Sequence, residues 1–231
     1  SLNRMKTDFL SRVSHDLRTP LASIRWSSEN LKDGVAGPIT APQAEYVEAI
    51  RASSRQLGRL VENLLDLSRR ELGADTGKLE PIDAAALIAE SVTALGPLAA
   101  AAKVTLRVTA EPGLPPIRGN ASKFMEIVTN LLENAVKFAP PETAVEIALE
   151  KAGANRQRLT VRDHGPGVPA ADRERIWNRF AQGSVAGQGL ARGYGLGLYV
   201  VKSYVELFGG TVDVADHPDG GAIFSCDFIT W

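Results

Sequence analysis

Apolar residues recur every seven positions through the first seventy residues, and this spacing restricts the fold of that stretch more tightly than any other feature. Leu10, Leu17, Ile24 and Leu31 are seven apart, and Tyr46, Ile50, Ser53, Leu57, Leu60, Leu64 and Leu67 alternate by four and three. Sustained a/d spacing belongs to helices that pack lengthwise against partners. Between the two runs, Asp33-Gly34-Val35-Ala36-Gly37-Pro38 breaks the helix, and Thr40-Ala41-Pro42-Gln43 has the form of a capping box that restarts it. The expected product is an antiparallel helical hairpin. Two helices cannot enclose a core by themselves, so the natural completion is a homodimer closing into a four-helix bundle. The alternative is docking of both helices on the remainder of the same chain.

Beyond residue 71 the pattern changes. Residues 72–80 loosen into a Gly- and charge-containing linker, so residues 1–71 are expected to form one domain and residues 81–231 a second. In the second, Asp83 to Ala102, Ser122 to Phe138 and Leu196 to Phe208 read as helices, with a short one near Asp172 to Phe180. Val104 to Thr109, Ala144 to Leu149, Arg158 to Arg162, Thr211 to Val214 and Ala222 to Phe228 read as strands. The fold class is therefore α+β overall, a helical hairpin followed by an α/β sandwich with helices on one face of a sheet. A formal net charge of −1 gives no reason to expect nucleic acid or an anionic membrane as partner. The single Cys226 excludes an internal disulfide and points to a reducing compartment. No apolar stretch reads as long enough to span a bilayer, so no membrane contact is expected.

Within the first helix, Ser14-His15-Asp16-Leu17-Arg18-Thr19-Pro20-Leu21 carries chemistry. With Leu10 and Leu17 at position a, His15 falls at f, away from the packed seam. Ser11, His15 and Thr19 share one face at i, i+4 spacing. Pro20 lacks an N–H, which leaves the Asp16 carbonyl without its helical partner and favours a bend. If the Asp16 carboxylate reaches the imidazole, it can fix the tautomer and accept the ring proton while phosphorus is attacked. Read blandly, Asp16 is a solvated helix charge and Pro20 a structural bend.

Three further segments suit a nucleotide. In Asn130-Leu131-Leu132-Glu133-Asn134-Ala135-Val136-Lys137-Phe138, the residues Asn130, Asn134 and Lys137 share one helix face. Carboxamide oxygens suit Mg²⁺, and Lys137 can answer phosphate charge. Alone, the segment is equally an amphipathic helix with a polar outer face. Asp163-His164-Gly165-Pro166-Gly167-Val168 follows a strand, where glycines let backbone approach a ligand and the Asp can accept from an adenine amino group. Gly193-Tyr194-Gly195-Leu196-Gly197-Leu198 opens a helix whose exposed N–H groups favour phosphate. Residues 181–192, with Gly183, Gly187 and Gly189, read as a lid over the nucleotide or as a plain surface loop.

In this order the motifs resemble the core of a bacterial sensor histidine kinase. Phe9 through Leu21 is similar to the H-box, Asn130 through Phe138 to the N-box, and Asp163 through Val168 and Gly193 through Leu198 to the two glycine boxes. Ile176-Trp177-Asn178-Arg179-Phe180 is similar to the F-box. The resemblance implies that His15 accepts phosphate from ATP with Asp16 as its acid/base neighbour, and that Thr19 positions water when the partner is dephosphorylated. It implies Asn134 as the main Mg²⁺ ligand with Asn130 assisting, Lys137 on the phosphates and Asp163 on adenine. Phe138, Gly165, Gly167, Gly193, Gly195, Leu196 and Gly197 would shape the pocket. The implied partner is a response regulator receiver domain, and the implied location is cytoplasmic, free or as the inner part of a membrane-bound sensor. His164 stands where Asn is frequent, Phe138 where Tyr is, and Gln182 where many members place Arg; Arg192 could supply that charge. Two other classes fit parts of the pattern: a conformational ATPase of the gyrase and chaperone superfamily, and a phosphatase-biased module. Phosphate on histidine separates these from a kinase.

Overall fold

The computed structural model describes residues 17, 19–71, 78–181, 183 and 195–231, without the side chains of residues 56 and 59–71. The chain divides into two compact units, Ser1–Thr76 and Gly77–Trp231. In the first, helix α1 runs over residues 19–32 and helix α2 over Ala41–Glu71. The turn between them uses Gly34 and Gly37 at positive φ. The capping box forms as spaced: the Thr40 N–H donates to Gln43 Oε1 at 2.8 Å, and the Gln43 N–H donates to Thr40 Oγ1 at 3.4 Å.

The hairpin does not close on its heptad seam. Among the described residues its buried ones are Leu21, Ser28, Val47 and Ser54, with Ser54 Oγ donating to the Leu21 carbonyl at 3.3 Å. Arg51 joins the helices through Glu48 on its own helix at 2.7 Å and Glu29 opposite at 3.9 Å. The seam residues Leu17, Ile24, Leu31, Tyr46, Ile50 and Leu57 remain exposed, Ile50 to 47% and Tyr46 to 74%. Leu10 and the side chains of Leu60, Leu64 and Leu67 lie outside the described residues. An apolar stripe of this length left in water is unfavourable, which is the physical case for a partner over it.

The second unit is a two-layer sandwich. Strands β2 (Thr105–Ala110), β4 (Ala144–Lys151), β5 (Arg156–Arg162), β6 (Thr211–Asp216) and β7 (Ala222–Ile229) form a sheet in the order β2-β4-β5-β7-β6. Only β2 and β4 are parallel. Alternation decides the layering. Leu159 and Val161 of β5, and Phe224, Cys226 and Phe228 of β7, are buried, while Arg158 of β5 and Asp227 of β7 pair on the opposite face at 2.6 Å. Helices α3 (Ala84–Ala101), α4 (Ala121–Phe138) and α5 (Gly197–Leu207) cover the apolar face. Phe124 and Phe228 meet edge-on at 5.3 Å between ring centres, joining α4 to β7. Burial pushes the Cys226 thiol far above its ordinary range, leaving it inert.

Four features differ from the sequence reading. Strands β1 (Glu80–Ile82) and β3 (Ile117–Gly119) form an additional antiparallel pair of three residues each. β1 begins at Glu80, inside the stretch read as linker. The helix expected near Asp172 to Phe180 is two 3₁₀ turns, Ala170–Asp172 and Arg175–Trp177. Finally, α3 is long and apolar enough to cross a membrane, against the expectation that no stretch is. Its alanines satisfy the composition, yet its stripe of Ile88, Ser91, Leu95 and Ala99 is buried in the domain core.

Candidate active site

Helix α4 is the axis of the site. Asn120 caps it by accepting from the Lys123 N–H at 3.2 Å, and Leu131, Leu132, Ala135 and Val136 bury its inner face. That burial turns Asn130, Asn134 and Lys137 to the half-exposed side. Asn130 Nδ2 donates to the Glu126 carbonyl at 2.8 Å, which fixes the carboxamide. The Asn134 side chain makes no hydrogen bond among the described residues. Lys137 lies 4.9 Å from the Phe138 ring centre with no carboxylate partner among the described residues, and burial lowers its pKa from the ordinary lysine value. A half-buried cation and a free carboxamide one turn apart suit an anionic ligand with its metal.

Two glycine segments close on this helix. A Cβ on Gly165 would stand 2.8 Å from the Phe138 carbonyl oxygen, and one on Gly197 would stand 2.9 Å from Asn130 Oδ1. At Gly165 only glycine permits the approach, while a Cβ on Gly197 would displace the Asn130 carboxamide; the Asp163 turn thus seats on the end of α4 and the start of α5 on its middle. Leu196, at the N-cap of α5, provides no side-chain cap, so the first N–H groups of that helix keep their capacity for an anion. Gly195, at φ +67°, packs directly on the Phe180–Ala181 backbone.

Asp163 is 4% exposed. Its Oδ1 accepts from the Gly165 N–H at 2.8 Å and the Ala222 N–H at 3.3 Å, while Oδ2 takes no hydrogen bond among the described residues. Burial raises its pKa, opposed by those two backbone donors and by His164. A carboxylate locked by one oxygen presents the other at fixed angle to a ligand donor. The F-box turn is bolted down by Trp177, buried against Phe224 edge-on at 6.0 Å, while Arg179 donates to Tyr199 Oη at 3.1 Å and Phe180 faces solvent.

The structure thus brings together Asn130, Asn134, Lys137, Phe138, Asp163, Gly165, Gly167, Gly195, Leu196 and Gly197. Thr19 and Pro20 are exposed in α1. Ser11, His15, Asp16, Gln182, Gly187, Gly189, Arg192 and Gly193 lie outside the described residues. Sequence reasoning missed Gly221, at φ +98°, where a Cβ would strike the Asp163 carbonyl oxygen. Its only local signal is the pair Gly220-Gly221, which reads as an ordinary hairpin turn.

Both parts of the chain match known protein families. Residues 5–73 match the model of the His Kinase A (phospho-acceptor) domain, and residues 119–229 that of the histidine kinase-, DNA gyrase B- and HSP90-like ATPases. The chain is 34% identical over 229 residues to sensor histidine kinase TmoS of Ectopseudomonas mendocina, covering 96% of this chain and 23% of that protein. It is 31% identical over 225 residues to the circadian input-output histidine kinase CikA of Synechococcus elongatus, covering 96% and 30%. The crystal structure of full-length ShkA in complex with AMPPNP superposes with a TM-score of 0.76 at 30% identity, covering 97% of this chain and 46% of that one. The chain therefore spans less than half the length of each. With a phospho-acceptor domain followed by an ATPase domain of this type, the chain belongs to the sensor histidine kinases, whose core it forms.

Proposed function

We propose that this core binds Mg-ATP in the second unit and transfers the γ-phosphoryl group to the imidazole of His15, releasing ADP. The observation that carries the reading is the seating of two glycine segments, the Asp163 turn and the start of α5, on α4 beside Asn134 and Lys137. Asp163 Oδ2 would accept from the adenine amino group. The α5 N-terminus and Lys137 would hold the phosphates, and Asn134 with Asn130 would ligate Mg²⁺. The metal would neutralise charge on the β- and γ-phosphate oxygens. Gly193 and the segment with Arg192 would complete the phosphate side. A bond forms between an imidazole nitrogen and phosphorus as the bond to the ADP oxygen breaks, and Asp16 receives the ring proton. Residues 1–71 would act as the phosphoacceptor domain and 81–231 as the catalytic domain.

The phosphoryl group then passes to an aspartate of a response regulator receiver domain. Trp26, 67% exposed, stands eleven residues after His15. Three turns at about 3.6 residues each would bring it to the His15 face of an unbent helix, which supports it as an apolar contact for that partner. Thr19, four residues after His15, would position water to hydrolyse the aspartyl phosphate of the regulator, releasing inorganic phosphate. The exposed seam of the hairpin supports a homodimer. Substituting Asn134 by Ala should cut incorporation of label from γ-labelled ATP by at least roughly tenfold. Undiminished incorporation in that variant would refute the metal-site reading.

A further inference from the structure

The turn that carries Asp163 is held from outside its own strand, by the hairpin joining β6 to β7. The Asp163 N–H donates to the Ala222 carbonyl at 3.0 Å, and Gly221 lies flat against the Asp163 backbone. The Gly221 carbonyl oxygen also stands 3.3 Å from where a Cβ on Gly167 would be, so the hairpin reaches the trailing end of the turn by backbone packing alone. The trailing end, Gly165-Pro166-Gly167, has two residues without side chains to anchor it.

A second contact serves that trailing end. Asp216, the last residue of β6, has its Oδ1 3.3 Å from where a Cβ on Gly167 would stand. Its Oδ2 accepts from Arg173 Nη2 at 2.5 Å, and Arg173 Nε donates to the Val168 carbonyl at 3.3 Å. Arg173 thus spans the end of β6 and the residue after the glycine turn, in a planar fork that holds two directions at once. We propose that Arg173 and Asp216 form a strut that positions the Asp163 carboxylate for base recognition, and so set how strongly the site prefers adenine.

The inference rests on the reading of this site as an adenine-nucleotide site. The strut is a half-exposed pair, with side chains 35% and 57% accessible, so it adds little to global stability. Its effect is local, on where the turn sits. Neither residue contacts the nucleotide in this scheme; both act through Asp163.

The test is calorimetric binding of ATP and of inosine triphosphate to the whole chain. The inosine nucleotide carries a carbonyl in place of the amino group that Asp163 would bind. Arg173→Leu and Asp216→Ser should each weaken ATP about five- to tenfold, the size of one impaired charged hydrogen bond, and weaken the inosine nucleotide less. Arg173→Lys, which keeps the charge, should recover part of the preference. Retention of the wild-type ATP-to-inosine ratio in the Leu and Ser variants, with or without a parallel loss for both nucleotides, would overturn the strut. A wild type with no preference for ATP, or an Asp163→Asn variant that keeps it, would overturn the adenine reading and the strut together. Preference lost in Asp163→Asn but intact in Arg173→Leu isolates the failure to the strut.

Discussion

Asp163 concentrates the chemistry of the site in one buried side chain. Its folded pKa is raised, chiefly by desolvation. The stability this group lends is therefore fully present below the ordinary carboxyl range and is lost as pH rises through its folded pKa. Asp163→Asn keeps an oxygen for the Gly165 and Ala222 donors and removes the buried charge. The variant should melt no lower than wild type at neutral pH, with a flatter decline of melting temperature as pH rises from the acidic side. It should also fail to bind ATP, because an amide N–H would face the adenine amino group. Melting curves across pH, alongside nucleotide titration, check both halves; a variant that melts well below wild type would show that the charge stabilises the fold. The residue was legible in the sequence as Asp-x-Gly-x-Gly after a strand. Its locking by Ala222 was not, because that partner is 59 positions away.

Long elements were legible and short ones were not, for a reason of periodicity. Helix α4 declares itself through the spacing of Ile127, Leu131 and Val136 against Asn130, Asn134 and Lys137, over five turns. The three-residue strands β1 and β3 offer one alternation each, and Pro81 in β1 argues locally against a strand. The 3₁₀ turns replace an expected helix because Pro169 and the burial of Asp172, Ile176 and Trp177 favour tight turns over a continued face. The β6–β7 hairpin shows how an element outside any motif governs the site. Gly221→Ala places a methyl group against the Asp163 carbonyl oxygen at a φ of +98°. The strained backbone alone should cost about 1–3 kcal/mol, lowering the denaturant midpoint and weakening ATP together. Gly113→Ala, also at positive φ but with nothing near its Cβ, should cost stability without affecting ATP. Equal loss of ATP affinity in both variants would remove the hairpin from the site.

At the scale of the molecule, the proposed reaction assigns one half to each unit, and the heptad pattern speaks to what would join copies. The sequence pointed to a seam without saying which face the hairpin closes on. The pair closes through small residues, Ser28 and Ser54, beside Leu21 and Val47, and leaves Ile24, Ile50 and Leu57 outward. Burying such a stripe between two hairpins at roughly 25 cal/mol per Å² would drive the proposed homodimer. If the proposed dimer forms on this stripe, Ile50→Asp should convert it to monomer in sedimentation while leaving ATP binding within about twofold of wild type, since the second unit holds its own core. A dimer unmoved by Ile50→Asp would place the interface elsewhere.

The central claim is that phosphate moves from ATP to His15. Incubation of the chain with γ-labelled ATP and Mg²⁺, beside a His15→Gln variant, tests it directly. The account predicts protein-bound label that is lost in acid, persists in alkali and is absent from the variant. ATP binding without label in the wild type, or equal label in the His15→Gln protein, would contradict it.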